Sequence, residues 1–393
     1  MTSQHTAARE LLSQFPLVDG HNDLAWELRE AGREDLSTTD LASPVEFTHT
    51  DLPRIAAGGL SAQFWSVYVP ATLQGDGAVV ATLEQVDLVR RMIGRYPDVL
   101  ELALTAADVD RIFAAGKVAS LIGAEGGHSI ASSMGVLRVL YRIGVRYLTL
   151  THNANVPWAD SATDEPKAGG LTAFGREVVR EMQRLGMLVD LSHVSPATMH
   201  DALETAEAPI IFSHSSARAV CDHPRNVPDE ILARLPANRG VCMVTFVPAF
   251  VSPECQAWEN DLTAEMERRG MQPWDWPSRA RMRQEWLPGH PRPAATLAQV
   301  ARHIEHVREV AGIDHVGIGS DFDGTDQVPE GLTDVSCYPA LFADLLGRGW
   351  SEEDCRLLAG GNILRAMREA EEAARAIGER RGPSTARIEG YGS

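Results

Sequence analysis

Seven side chains carry the groups a hydrolytic metal site needs: His21, Asp23, Glu125, His152, His193, His214 and Asp321. His21 and Asp23 stand two residues apart in Leu17-Val-Asp-Gly-His-Asn-Asp23. In an extended chain such neighbours project to one side, so an imidazole and a carboxylate can face a common centre. Neutral imidazole and ionised carboxylate are ligands that hydrolytic zinc sites use. Taken singly, each residue has a plainer reading. A histidine after a strand is most often a hydrogen-bonded turn residue, and Glu125 and Asp321 could cap the helices that follow. Taken together, they would crowd imidazoles and carboxylates with no cation to reconcile them.

A repeating scaffold of strands and helices must position these groups. Eight short apolar runs occur at 15–19, 62–69, 118–123, 145–151, 187–191, 209–213, 240–246 and 315–319. They lack strict polar alternation, which predicts strands buried on both faces. Amphipathic segments separate them. Thr105 and Asp108 form a capping pattern, Leu171 to Leu185 has helical spacing stopped by Gly186, and Ser195-Pro196 opens another helix. Leu297, Val300, Ile304 and Val307 make one stripe ending near Gly312. The pattern predicts an α/β fold, a (β/α)8 TIM barrel. A doubly wound open sheet is the alternative, but its Gly-rich phosphate turn is absent. All seven polar residues then fall at the C-terminal ends of strands, the rim where barrel active sites are built.

Residues 1–369 are expected to form a single barrel domain, with 370–393 a charged helix end and a disordered tail. Residues 252–293, after the seventh strand, form a helical insertion containing Trp258, Trp274, Trp276 and Trp286. A lid, an oligomer contact and a helical excursion on the barrel's side are its three readings. His5, His49, His200, His223, His290, His303 and His306 are expected at the surface, and His128 in a turn or supporting a ligand.

Three ligand-type histidines and two carboxylates exceed what one tetrahedral zinc requires. Two metals sharing a bridging carboxylate and a bridging hydroxide would use them all. The two lysines, Lys117 and Lys167, sit at the wrong rim and in a loop, which leaves Glu125 as the better bridge.

Composition narrows the partners. A net charge of −18 opposes nucleic acid and anionic membrane surfaces. The five cysteines show no disulfide or zinc-binding spacing. The sequence shows no apolar signal core, membrane-length run or hydrophobic anchor tail, which sets a cytoplasmic location as the expectation.

With the motifs Asp19-Gly-His-Asn-Asp23, Glu125-Gly-Gly-His-Ser129, Leu150-Thr-His-Asn153, Pro157-Trp-Ala-Asp160, Asp190-Leu-Ser-His193, Ser213-His-Ser215, Arg225-Asn226, Gly319-Ser-Asp-Phe-Asp-Gly324 and Gly360-Gly361-Asn362, the chain resembles the membrane (renal) dipeptidase family of zinc peptidases, in its soluble bacterial branch. The resemblance implies a metal-dependent, amidohydrolase-like (β/α)8 barrel and a homodimeric dipeptidase that accepts a D-residue at the C-terminal position. It implies two zinc ions per subunit, bridged by Glu125 and a hydroxide. His21 and Asp23 match the ligands of one zinc, and His193 and His214 those of the other. His152 matches the residue that polarises the scissile carbonyl and steadies the oxyanion, Arg225 the one that binds the substrate carboxylate, and Asp321 the acid/base. Mammalian members read Asn-Phe-Tyr at the end of the seventh strand, where this chain has Thr245-Phe246-Val247. An N-acyl-D-amino-acid deacylase on the same metals is the alternative activity. A barrel that binds metal without catalysis is the alternative from another class.

Overall fold

The computed structural model describes residues 3–272 and 276–391. Nine parallel strands lie among the described residues: β1 (Val18–Asn22), β2 (Ala62–Ser66), β3 (Leu100–Leu102), β4 (Val118–Glu125), β5 (Val145–Thr149), β6 (Leu188–Asp190), β7 (Ile210–Phe212), β8 (Val241–Val244) and β9 (Val316–Ile318). Their order is β2-β1-β9-β8-β7-β6-β5-β4-β3, and β2 also pairs with β4, which closes eight strands into a barrel. Strand β3 was not anticipated. It lies outside that ring, pairing Leu100 with Val118.

The eight barrel strands are buried along their whole length because both faces are covered. All eight residues of β4 are buried, as are all five of β1. Phe64, Leu121, Tyr147, Ile211 and Met243 belong to one buried cluster. Gly123 makes room there: a Cβ at this position would fall 2.0 Å from the ring of Tyr147. The register sets Glu125 level with Thr149, Thr149 with Asp190, and Asp190 with Ile211. One layer of the barrel therefore carries much of the polar rim.

The crossover helices begin and end where their capping chemistry dictates. Thr105 and Asp108 form a reciprocal capping box for Ala106–Ala114. Thr172 caps Ala173–Leu185, which Gly186 closes in the left-handed region at φ 82°. Thr296 and Gln299 form a second box at the start of Leu297–Ala311.

The segment after β8 is helical, with Pro253–Arg268 and Trp276–Trp286 its two long elements. Trp258, Leu262, Met266 and Met282 give it a small core of its own. Arg283 and Arg292 both bind Asp326, which ties the insertion to the loop that follows β9. Trp274 lies outside the described residues. The tail, expected to be disordered, is held at its start: Ser384 donates from its backbone N–H to Glu181 at 3.1 Å, and Arg138 donates to the Ser384 carbonyl at 3.0 Å. No helix of the described residues is long and apolar enough to cross a membrane.

Candidate metal centre

His21 occupies the end of β1 and Glu125 the last position of β4. Asp23, His152, His193, His214 and Asp321 stand one to three residues beyond β1, β5, β6, β7 and β9. His193 and Asp321 have φ values of 70° and 66°, a left-handed conformation that is costly for residues with a Cβ and typical of functional sites.

Glu125 lies at the centre of the cluster. Its Oε1 is 2.9 Å from His193 Nε2 and 3.4 Å from His214 Nε2, while its Oε2 is 3.6 Å from His21 Nε2. His21 Nε2 is also 3.2 Å from Asp23 Oδ2 and 4.0 Å from Asp321 Oδ1. His152 Nε2 approaches Glu125 Oε1 at 3.9 Å. Potential ligand atoms of His21, Glu125 and His214 lie within 4.8 Å of one another, as do those of Glu125, His152 and His193 and those of His21, Asp23 and Asp321.

Metal ions fit this donor set. The Nε2 atoms of His193 and His214 face each other at 3.0 Å with a carboxylate oxygen beside both. Asp23 Oδ1 is buried without a hydrogen-bond partner among the described residues. A cation satisfies such a cluster where protein groups alone leave it short of partners.

The electrostatics agree with crowded ligands. Burial opposes charge on His21, yet the carboxylates of Asp23 and Glu125 raise its pKa to about 10. Burial lifts Glu125 well above the ordinary carboxylate range, with His21 pulling against it. Burial, followed by the positive field of Arg225, holds His193 well below the usual imidazole value, and burial with the His21 and Arg225 charges does the same to His214. His152 is likewise held neutral, chiefly by burial and then by His128 and Arg225. Asp321 is raised to about 7 by burial, with the neighbouring Asp23 adding to the shift.

Arg225, in the loop after β7, is buried at 2% exposure and has no carboxylate partner among the described residues. Its side chain makes only long contacts of 3.5 Å to Ser215 Oγ and the His214 carbonyl, and Nε is unpaired. A buried guanidinium held this loosely is suited to a ligand carboxylate.

Several supporting groups were not singled out from the sequence. The guanidinium of Arg225 lies 5.2 Å from the ring of Phe250, which stands three residues beyond Val247. Tyr68 packs on His152 at 4.9 Å and on Trp26 at 4.9 Å. Asp19 accepts from the backbone of His21 and Ser320 and from the hydroxyls of Ser320 and Tyr338. The hydroxyl of Tyr147 is 2.8 Å from His21 Nδ1, and that of Ser213 is 2.8 Å from His214 Nδ1. Of the histidines expected at the surface, His303 is fully buried, receiving a hydrogen bond from the Ala217 N–H, and His49 is half-buried against Asp323. His128 is buried, with Nε2 3.0 Å from the Val69 carbonyl.

Known proteins share this arrangement of sequence and fold. The sequence profile described as membrane dipeptidase (peptidase family M19) matches residues 5–381. Dipeptidase 3 of Mus musculus is 42% identical over 372 residues, which cover 93% of this chain but only 66% of the mouse protein, so the chain spans just under two thirds of that relative's length. The crystal structure of the probable dipeptidase PvdM from Pseudomonas aeruginosa superposes with a TM-score of 0.81 at 25% identity, covering 94% of this chain and 99% of that one. A metallo peptidase from Rhodobacter sphaeroides, liganded with a phosphinate mimic of the dipeptide L-Ala-D-Ala, superposes with a TM-score of 0.74 at 25% identity, covering 91% and 99%. The chain belongs to the membrane dipeptidase family, peptidase family M19.

Proposed function

We propose that this chain is a binuclear zinc dipeptidase acting on dipeptides of the L-Xaa-D-Xaa form. The observation that carries the reading is the division of Glu125 between two ligand sets, one oxygen facing His193 and His214 and the other facing His21. His21 and Asp23 would hold one ion, His193 and His214 the other, and Glu125 would bridge them. Two bound zinc ions would supply a hydroxide from a shared water near neutral pH and polarise the scissile carbonyl.

The remaining steps belong to side chains. Arg225 anchors the substrate's C-terminal carboxylate through its fork of donors, which selects short peptides over long ones. His152, neutral in its buried setting, donates a hydrogen bond to the oxyanion as the carbonyl is attacked. Asp321, 4.0 Å from His21 Nε2, takes the proton of the attacking water and delivers it to the departing amine. The preference for a D-residue draws support from the relative solved with the L-Ala-D-Ala mimic.

The test is hydrolysis of a panel by zinc-loaded protein: matched L-L and L-D dipeptides with acidic, basic and apolar side chains, plus N-acetyl D-amino acids. Cleavage of L-D dipeptides is the expected result. Cleavage of acetyl compounds alone would make the protein a deacylase, and no cleavage with both metals bound would remove peptides from consideration.

A further inference from the structure

Beneath the ligand cluster runs a second set of polar groups with no place in the scheme above. Tyr147 is fully buried on β5, and its hydroxyl lies 2.8 Å from His21 Nδ1 and 3.2 Å from the Gly20 carbonyl. Ser213 Oγ lies 2.8 Å from His214 Nδ1 and donates to Asp190 Oδ2 at 2.6 Å. Asp190 also accepts from the N–H groups of Ser192 and Ser213, at 3.1 and 2.8 Å, and from the Thr149 hydroxyl.

The hydrogens can be assigned by counting donors and acceptors. Asp190 is supplied only with donors, so the Ser213 hydrogen points to it. That leaves Ser213 Oγ free to accept from His214 Nδ1–H. The Tyr147 hydrogen is directed to the Gly20 carbonyl, so its oxygen accepts from His21 Nδ1–H. Both imidazoles are thereby fixed with Nδ1 protonated and the lone pair of Nε2 turned to the cluster, the tautomer a metal ligand needs.

The geometry points to two positioning contacts behind the ligand cluster: Tyr147 orients His21 of one ligand set, and Ser213, held by Asp190, orients His214 of the other. The inference rests on the two-metal reading above. Asp190 fixes the Ser213 hydroxyl, and the Gly20 carbonyl fixes that of Tyr147 in a second device. Gly123 belongs to the same device, since any side chain there would displace the Tyr147 ring.

The test is a competition titration of metal-stripped full-length protein with zinc against a chromophoric chelator, resolving both dissociation constants. Tyr147→Phe should weaken one ion about 10- to 100-fold and leave the other near its wild-type value. Ser213→Ala and Asp190→Asn should weaken the other ion instead. The combined Tyr147→Phe and Ser213→Ala variant should lose about the sum of the two separate losses, because the contacts are independent. General loosening of the fold would lower both affinities in every variant and overturn the assignment, as would unchanged constants. A measurement on the wild type guards against variants that fail to fold. In the zinc-loaded protein the Nδ1–H protons of His21 and His214 should resonate downfield and exchange slowly with water; free exchange would overturn the assignment. Wild-type protein that takes up no zinc would overturn the two-metal reading itself, and the two positioning contacts with it.

Discussion

Glu125 Oε1 lies 2.9 Å from His193 Nε2, while the other oxygen of the same carboxylate turns 3.6 Å from His21 Nε2. One side chain thus addresses ligands from opposite sides of the barrel, and the roles of the surrounding residues follow from which oxygen they accompany. Those roles separate experimentally into metal binding, substrate anchoring and proton transfer.

Asp321 stands 4.0 Å from His21 at the edge of the cluster and is assigned proton transfer. Asp321→Asn keeps the shape and removes the titrating oxygen. Turnover should fall by about a hundred- to ten-thousand-fold with zinc content unchanged. Parallel kinetics and metal analysis check this, and an active, fully loaded variant would end the assignment.

Arg225 is buried without a carboxylate partner among the described residues, so its charge awaits one from the substrate. Arg225→Met should raise KM about 10- to 100-fold, the loss expected for a charge-assisted contact, with a smaller effect on kcat. Steady-state kinetics on one dipeptide decide it. An unchanged specificity constant would remove Arg225 from the carboxylate site.

Metal uptake should be linked to proton release. In the absence of a cation, Asp23 and Glu125 hold His21 protonated against the cost of burial, with a pKa of about 10, and burial pushes Glu125 upward as well. Zinc must displace these protons, so affinity should rise with pH through neutrality, by about tenfold per pH unit for each proton expelled. Calorimetry in buffers of different ionisation enthalpy counts the protons. An affinity independent of pH between about 6 and 8 would contradict the linkage.

Gly123→Ala places a methyl group 2.0 Å from the Tyr147 ring with backbone and barrel on all sides. Overpacking of this kind costs about 1–3 kcal/mol. Denaturant unfolding should show a lowered midpoint, and wild-type stability in the variant would mean that the ring has room to move.

Much of this was legible in the sequence, and what was missed shares a physical cause. The ligand-type residues announce themselves because charged and titratable groups directly after apolar strands have few structural uses. The eight barrel strands showed as continuous apolar runs, although their ends shifted: the run at 62–69 yields a strand only over Ala62–Ser66. Strand β3 was invisible because Leu100–Leu102 is three residues with an exposed-type glutamate in the middle. Tyr147 and Ser213 were missed because an aromatic or a serine in a buried strand reads as core or turn; only the barrel's closure brings the first to His21. Phe250 needed the loop after β8 folded against the loop after β7 before its ring could meet Arg225. His303 sits on the apolar stripe of Leu297–Ala311, and helical spacing alone could have flagged its burial.

The most direct measurement is a zinc titration of metal-stripped protein, following the amino acid released from an L-D dipeptide such as L-Ala-D-Ala. Activity should be absent without metal, rise with added zinc and reach its plateau at two ions per chain. A plateau at one ion would contradict the bridging role of Glu125, and no release at any zinc level would contradict the dipeptidase itself.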